Sequence, residues 1–279
     1  MILPGPLRRR YGTRLDELTP EAMKGKRLSR LGVELPGLCV LILLDMNDRL
    51  IARFAKDLPK RWDPNVFPWS AQLEAAWPTM KAEMEAYLRV RTIPDTAAVN
   101  GMDPDGPAAR ASVPVDVGHW RALIMQWFGE DIEEMRDHFP GTMAAFKDLT
   151  GITSIAFTGL DGRSHIAEHC GPNRGAVRYQ LPIIIPGPPG ACRIRVDDEM
   201  IPWVEGECVV FDLSVPHEVW NDTDEFRVLL MLEVPMPLPF PLSLANRLAQ
   251  SSYRLFPNFK GLRDRVRELA ADHDLAVAA

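Results

Sequence analysis

Three side chains have the types and spacing to do chemistry together: His169, His217 and Arg227. The histidines stand 48 positions apart, and the arginine follows the second by ten. Imidazole suits a first-row divalent metal such as Fe(II), and a pair of ligands leaves positions open for a co-substrate and oxygen. A guanidinium beside such a metal grips a carboxylate through two parallel hydrogen bonds. Chemistry of this kind needs a scaffold that brings residues distant in sequence into one cavity.

The stretch 153–234 has the pattern of such a scaffold. Short β-branched runs at 153–158, 177–185, 192–196, 207–212, 216–220 and 226–234 alternate with turn clusters. The turns include Asp161-Gly162, Gly187-Pro188-Pro189-Gly190, Glu205-Gly206 and Asn221-Asp222. Strands this short at this spacing predict a sandwich or small barrel, not a parallel sheet with helical crossovers. In a double-sheet jelly roll an early and a late strand lie close, which would bring His169 to His217. Arg227 opens the apolar strand Val228-Leu-Leu-Met-Leu, where an inward charge is costly unless paired.

Several ordered pieces carry a family resemblance: His169-Cys-Gly-Pro, Val177-Arg178-Tyr-Gln-Leu, Cys192-Arg-Ile-Arg, Trp203-Val-Glu-Gly206, Phe211-Asp212, His217-Glu-Val-Trp-Asn221 and Phe226-Arg227. Together they resemble the aspartyl/asparaginyl β-hydroxylases, a branch of the Fe(II)/2-oxoglutarate dioxygenases, with weaker likeness back to about Phe67. The resemblance implies a mainly β fold with flanking helices, a cupin-like double-stranded β-helix or jelly roll. It implies hydroxylation of an unactivated C–H bond by O2, with 2-oxoglutarate decarboxylated to succinate. His169 and His217 would hold Fe(II), and Arg227 the distal carboxylate of 2-oxoglutarate. Arg178, Thr158 and Gln180 would help bind that co-substrate. Gly171 stands where many relatives carry a third, carboxylate ligand, and water would fill the position.

Two departures bear on the substrate. Gln180 replaces a histidine of metazoan members, and its amide can still donate to a carboxylate. Ala156 and Ala176 replace basic residues suited to a substrate carboxylate, which alanine cannot do. The substrate expectation therefore stays open between an amino acid or peptidyl residue, a natural-product intermediate, and the acyl chain of a lipid. A metal- or acid-binding jelly roll without turnover is the reading from a different class.

At 279 residues, with 46% hydrophobic and 25% charged, the chain has the composition of an ordinary soluble globule. Four scattered cysteines without a C-x-x-C pair argue against a disulfide framework or structural zinc, and predict a reducing cytoplasm. The longest apolar run, Leu38 to Leu44, is short of the roughly 20 residues of a membrane span. Net charge is −6, with 12 Lys/Arg against 7 Asp/Glu in residues 1–60. The acidic remainder disfavours nucleic acid as a partner. A membrane contact through the basic lead segment is the minority expectation, and the oligomeric state is not readable.

The organisation predicted is a basic N-terminal extension over 1–66, the dioxygenase domain over 67–241, and a helical segment over 242–279. Helix signals lie at Thr19-Pro20-Glu21, from Met46 through Leu58, from a Ser70 cap to about Val90 with a bend at Pro78, at Asp131–His138 and Thr142–Leu149, and over Leu242–Leu255 and Phe259–Ala271. Trp120–Phe128 reads as a strand, and 91–118 as a long loop. His119, His138, His165 and His273 are taken as packed or surface residues, Asp212 as a turn former, and Trp203 and Trp220 as packing residues.

Overall fold

The computed structural model describes residues 27–99, 115–128, 130–133, 136–255 and 259–272. The helix signal at Thr19-Pro20-Glu21 and residues 100–114 of the expected loop lie outside the described residues. Two antiparallel sheets carry the fold. The larger contains β2 (Trp120–Trp127), β3 (Glu130–Asp131), β4 (Ser154–Leu160), β6 (Ala176–Ile184), β9 (Val209–Asp212) and β11 (Arg227–Pro235). The smaller contains β1 (Val115–Val117), β5 (Ser164–His169), β7 (Cys192–Val196), β8 (Glu199–Pro202) and β10 (His217–Asn221).

The strand order makes this a double-stranded β-helix. The larger sheet runs β3-β2-β4-β11-β6-β9 and the smaller β1-β5-β10-β7-β8. The eight strands β4 to β11 therefore wind between the sheets, first beside last, with only the β7–β8 hairpin kept within one sheet. An early strand such as β5 and a late one such as β10 become direct neighbours. That adjacency is the property the separated histidines require.

Alternation along each strand divides two cores. On β6 and β11, Val177, Tyr179, Leu181, Ile183, Val228, Leu230, Leu232 and Val234 face the helices. The opposite parity faces the other sheet, where Leu160, Val209, Phe211 and Leu229 meet Ile166, Cys192, Ile194, Val196 and Val219. The helical layer comprises α1 (Arg27–Phe54), α2 (Ser70–Leu88), α3 (Thr96–Val99), α4 (Pro140–Phe146), α5 (Leu242–Ser251) and α6 (Phe259–Asp272). Leu73, Met80, Met84 and Tyr87 of α2 form the apolar cover of the larger sheet, joined by Ile51 and Val266.

The helix expected from Met46 starts instead at Arg27 and contains Pro36, since its buried stripe Val40, Leu44, Asn47 and Ile51 continues the helical period upstream. Ser70 is the first residue of α2 and not its side-chain cap; its hydroxyl bonds Tyr179 Oη at 3.0 Å. Helix α2 is assigned continuously through Pro78. Asp131–His138 is not an α-helix over its described residues: Asp131 pairs with Gln126 in the sheet, and a 3-10 turn holds Glu133, whose carbonyl accepts from Arg136 N at 3.1 Å. The described ends of 91–118 hold α3 and β1, so that stretch is not loop throughout.

Candidate active site

His169 ends β5 and His217 begins β10, directly opposite each other in the ladder. Their rings lie with centroids 4.1 Å apart. Simple alternation from the inward Ile166 would turn His169 outward. The register slips between His217 and Val219, so that three steps on β5 match two on β10, and this bulge returns His169 to the inner face. Exposed Glu168 is left outside, paired with Arg195.

Both imidazoles are held the same way. His169 Nδ1 contacts the carbonyl of Ala167 at 2.8 Å, and His217 Nδ1 contacts that of Val215 at 2.8 Å. A carbonyl only accepts, so each Nδ1 carries the proton and each Nε2 presents a lone pair. His217 Nε2 is buried and without a partner. Burial pushes the His217 pKa down to about 3, helped by His169 beside it. Burial also lowers His169. Neutral imidazoles with free Nε2 atoms are the form that binds a divalent metal, so the residues fit such an ion. Among the described residues no group of three or more His, Cys, Asp and Glu gathers to hold a metal.

A side chain at position 171 would collide with Leu213. A Cβ on Gly171 would stand 2.5 Å from Leu213 Cγ and 3.0 Å from Leu213 O. Gly171 N donates to that same carbonyl at 2.8 Å, fixing the approach. Asp212 forms the turn before β10, its Oδ1 accepting from Ser214 N and Oγ, both at 2.8 Å.

On the larger sheet the inward residues form successive rows. Arg178 lies between Glu233 and Phe211, Gln180 between Met231 and Val209, Thr158 beside Leu229, and Arg227 beside Leu160. The Phe211 ring sits 5.0 Å from that of His217, placing the histidine pair across from the Arg178 row. Arg227 lies three rows deeper. It is 2% exposed, and its guanidinium carbon lies 4.5 Å over the Trp203 ring. No carboxylate pairs with it among the described residues, its Nε lacks a partner, and burial pushes its pKa down to about 9. A cation held this way invites an anionic ligand.

The predicted site residues thus share one inter-sheet space. Gln180 Oε1, Arg178 Nε and Trp203 Nε1 are further buried atoms there without partners. Arg178 is bound differently from Arg227, since it already pairs with Glu233. Glu233 escaped the sequence reading, although it has the same strand parity as Arg227 and interrupts an apolar run. Trp203, read as packing, is the aromatic floor under Arg227. Ala156 and Ala176 line β4 and β6, buried and without polar reach. His165 lies on the other face of the smaller sheet, stacked on Trp220 and paired with Glu218.

The family model for aspartyl/asparaginyl beta-hydroxylase matches residues 74–237. The chain belongs to that family. An ornithine lipid ester-linked acyl 2-hydroxylase from Rhizobium tropici is 31% identical over 189 residues, covering 67% of this chain and 64% of that protein. Aspartyl/asparaginyl beta-hydroxylases from Mus musculus and Homo sapiens are each 30% identical over 129 residues, or 44% of this chain. The chain spans 17% of the length of each of those two. A cupin 2 conserved barrel domain protein from Rhodopseudomonas palustris aligns over 48% of this chain and 75% of its own, at 10% identity and a TM-score of 0.30. Ectoine synthase from P. lautus aligns over 44% of this chain and 68% of its own, at 17% identity and a TM-score of 0.28.

Proposed function

We propose that this protein is an Fe(II)/2-oxoglutarate-dependent hydroxylase acting on the acyl chain of an amphipathic lipid. The observation that carries the chemistry is Arg227, a buried cation with no counter-anion among the described residues, in the space that holds the two imidazoles. His169 and His217 would hold the iron through Nε2, with water or co-substrate in the remaining positions. Arg227 would bind the distal carboxylate of 2-oxoglutarate with Trp203 behind it. Thr158 and Gln180 line the rows between and would donate to the co-substrate. Arg178, already occupied by Glu233, would contribute less. The iron and 2-oxoglutarate supply the oxidising power toward a C–H bond; the chain binds, orients and excludes water.

The lipid reading rests on two observations. The lipid hydroxylase relative matches 67% of the chain, against 44% for the aspartyl/asparaginyl hydroxylases. Ala156 and Ala176 supply no base for a substrate carboxylate. The test is anaerobic loading with Fe(II) and 2-oxoglutarate, then exposure to oxygen with a detergent-dispersed acyl lipid or with an Asp/Asn peptide. The expected result is stoichiometric succinate and an acyl chain heavier by one oxygen atom, absent in His217→Ala. Oxygen gain on the peptide alone would overturn the lipid assignment, and no succinate with either would overturn the chemistry.

A further inference from the structure

The outer face of α5 and the 3-10 turn that follows it (Ser252–Leu255) carries a stripe unexplained by the fold. Leu244, Leu248 and Leu255 are 52%, 64% and 62% exposed, and Phe240 just before the helix is 81% exposed. Leu244 and Leu248 are four apart, and Ser251 and Leu255 continue the same line. The inner face is fully used: Asn246 bonds Asn47 and the Gly175 carbonyl, and Ala249 packs on Val40 and Leu44 of α1. The stripe is therefore not a core face left open by misplacement.

Charge on this helix and turn has one sign. Residues 242–255 contain Arg247 and Arg254 and no acidic residue, in a chain of net charge −6. Helix α1, packed alongside, adds exposed Leu43, Met46 and Phe54 with Arg53, while its Arg49 is paired with Asp45. Apolar side chains projecting from a convex helix, flanked by arginines, suit the headgroup boundary of a bilayer better than a shaped protein pocket.

Position brings this face to one end of the larger sheet, on its helix side. Arg247 lines a cleft of about 660 Å³ with Phe67, Trp69, Met236 and Leu238, and lines a second of about 410 Å³ with Arg254. Both clefts reach Thr150, Gly151 and Pro235. Pro235 ends β11 opposite Ala176, two residues from Arg178, at the same sheet end as the histidines.

We infer that the outer face of α5, with Phe240 and the exposed flank of α1, seats on an anionic phospholipid bilayer and so presents the barrel mouth to acyl chains. This inference rests on the lipid reading for its purpose but not for its test. No helix of the described residues is long and apolar enough to cross a membrane.

The full chain is to be sedimented with vesicles of phosphatidylcholine alone and mixed with phosphatidylglycerol. Binding to the mixed vesicles is expected, weaker by about tenfold or more on the neutral ones. Leu244→Ser/Leu248→Ser should lose about tenfold or more on mixed vesicles, and Arg247→Gln about fivefold on those alone. His217→Ala should bind like the parent. Unchanged melting temperatures would show that the surface variants fold, and Arg247→Gln tests the face without touching an apolar contact. No binding by the parent, or parent-like binding by both surface variants, overturns the proposal. A parent dimer that Leu244→Ser/Leu248→Ser splits, seen by light scattering, also overturns it. Hydroxylation of dispersed lipid without vesicle binding removes this surface and leaves the function standing. Vesicle binding without lipid turnover does the reverse.

Discussion

Arg227 sets two demands in opposition, because a guanidinium without a counter-anion weakens the fold that holds it. Replacing even a buried ion pair by apolar residues of similar volume is often neutral or stabilising by about 1–4 kcal/mol, and a lone charge has no partner to offset its desolvation. Arg227→Met is therefore expected to raise the unfolding midpoint of the ligand-free protein. The same substitution should weaken 2-oxoglutarate binding, since breaking a buried charge pair costs about 3–5 kcal/mol, roughly a hundredfold to several-thousandfold in affinity. Metal binding should stay near parent, because neither histidine touches this residue. A chemical melt and an anaerobic 2-oxoglutarate titration read the two effects separately. A variant that is less stable and still binds would make Arg227 structural. Arg178→Leu should lose less affinity, because Glu233 already neutralises Arg178. At the metal end, His169→Ala and His217→Ala should each abolish tight metal binding, while His165→Ala, on the far face, should not. Equal metal affinity in His217→Ala would remove that histidine from the site.

Secondary-structure elements decide where these residues point, and here the sequence was only partly legible. The six β-branched runs correspond to strands within two or three residues because alternating apolar residues bounded by Gly and Pro turns leave little other choice. Strand β5 was harder: Ser164-His-Ile-Ala-Glu-His169 is half polar, and its bulge breaks the period that would reveal which face His169 uses. Asp131–His138 looked helical because its charges fit a helix, yet a two-residue pairing to β2 captured its start. Gly171 was singled out in the sequence, but its contact with Leu213 was not legible, because Leu213 lies 42 positions on and meets it through the turn before β10. That contact makes a test. Gly171→Asp should gain no metal affinity and should lose about 1–3 kcal/mol through overpacking. Adding Leu213→Ala should restore part of the stability by making room for the new Cβ. Tighter metal binding by Gly171→Asp alone would show that a carboxylate reaches the ion, and that Leu213 blocks nothing.

At the scale of the whole molecule, the buried imidazoles couple the fold to pH. A histidine in the unfolded chain titrates near 6.5, whereas burial pushes His217 down to about 3 and also lowers His169. The folded state then binds fewer protons than the unfolded one between those values, so stability rises with pH across that window. The contribution is fully present above 6.5 and is lost as pH falls toward the folded value. For His217 the slope approaches about 1.4 kcal/mol per pH unit. His138, lowered by burial and by Arg91, adds in the same direction. The carboxylates whose pKa lies below the ordinary value, such as Asp197 and Asp224, act at lower pH. The interval from about 6.5 to 5 therefore reports mainly on histidine. Urea melts of the metal-free protein should show a midpoint flat from pH 8 to 7 and falling below 6.5, with the fall shallower in His217→Gln and shallower still with His138→Gln added. The same depression changes the expectation for metal binding. An imidazole of ordinary basicity would lose affinity as pH passes through 6–6.5. Here desolvation lowers both imidazoles, so affinity should fall by less than about tenfold between pH 7.5 and 6.0. A tenfold drop over that interval would mean that the histidine pair is wetter, and more basic, than its packing against Phe211 implies.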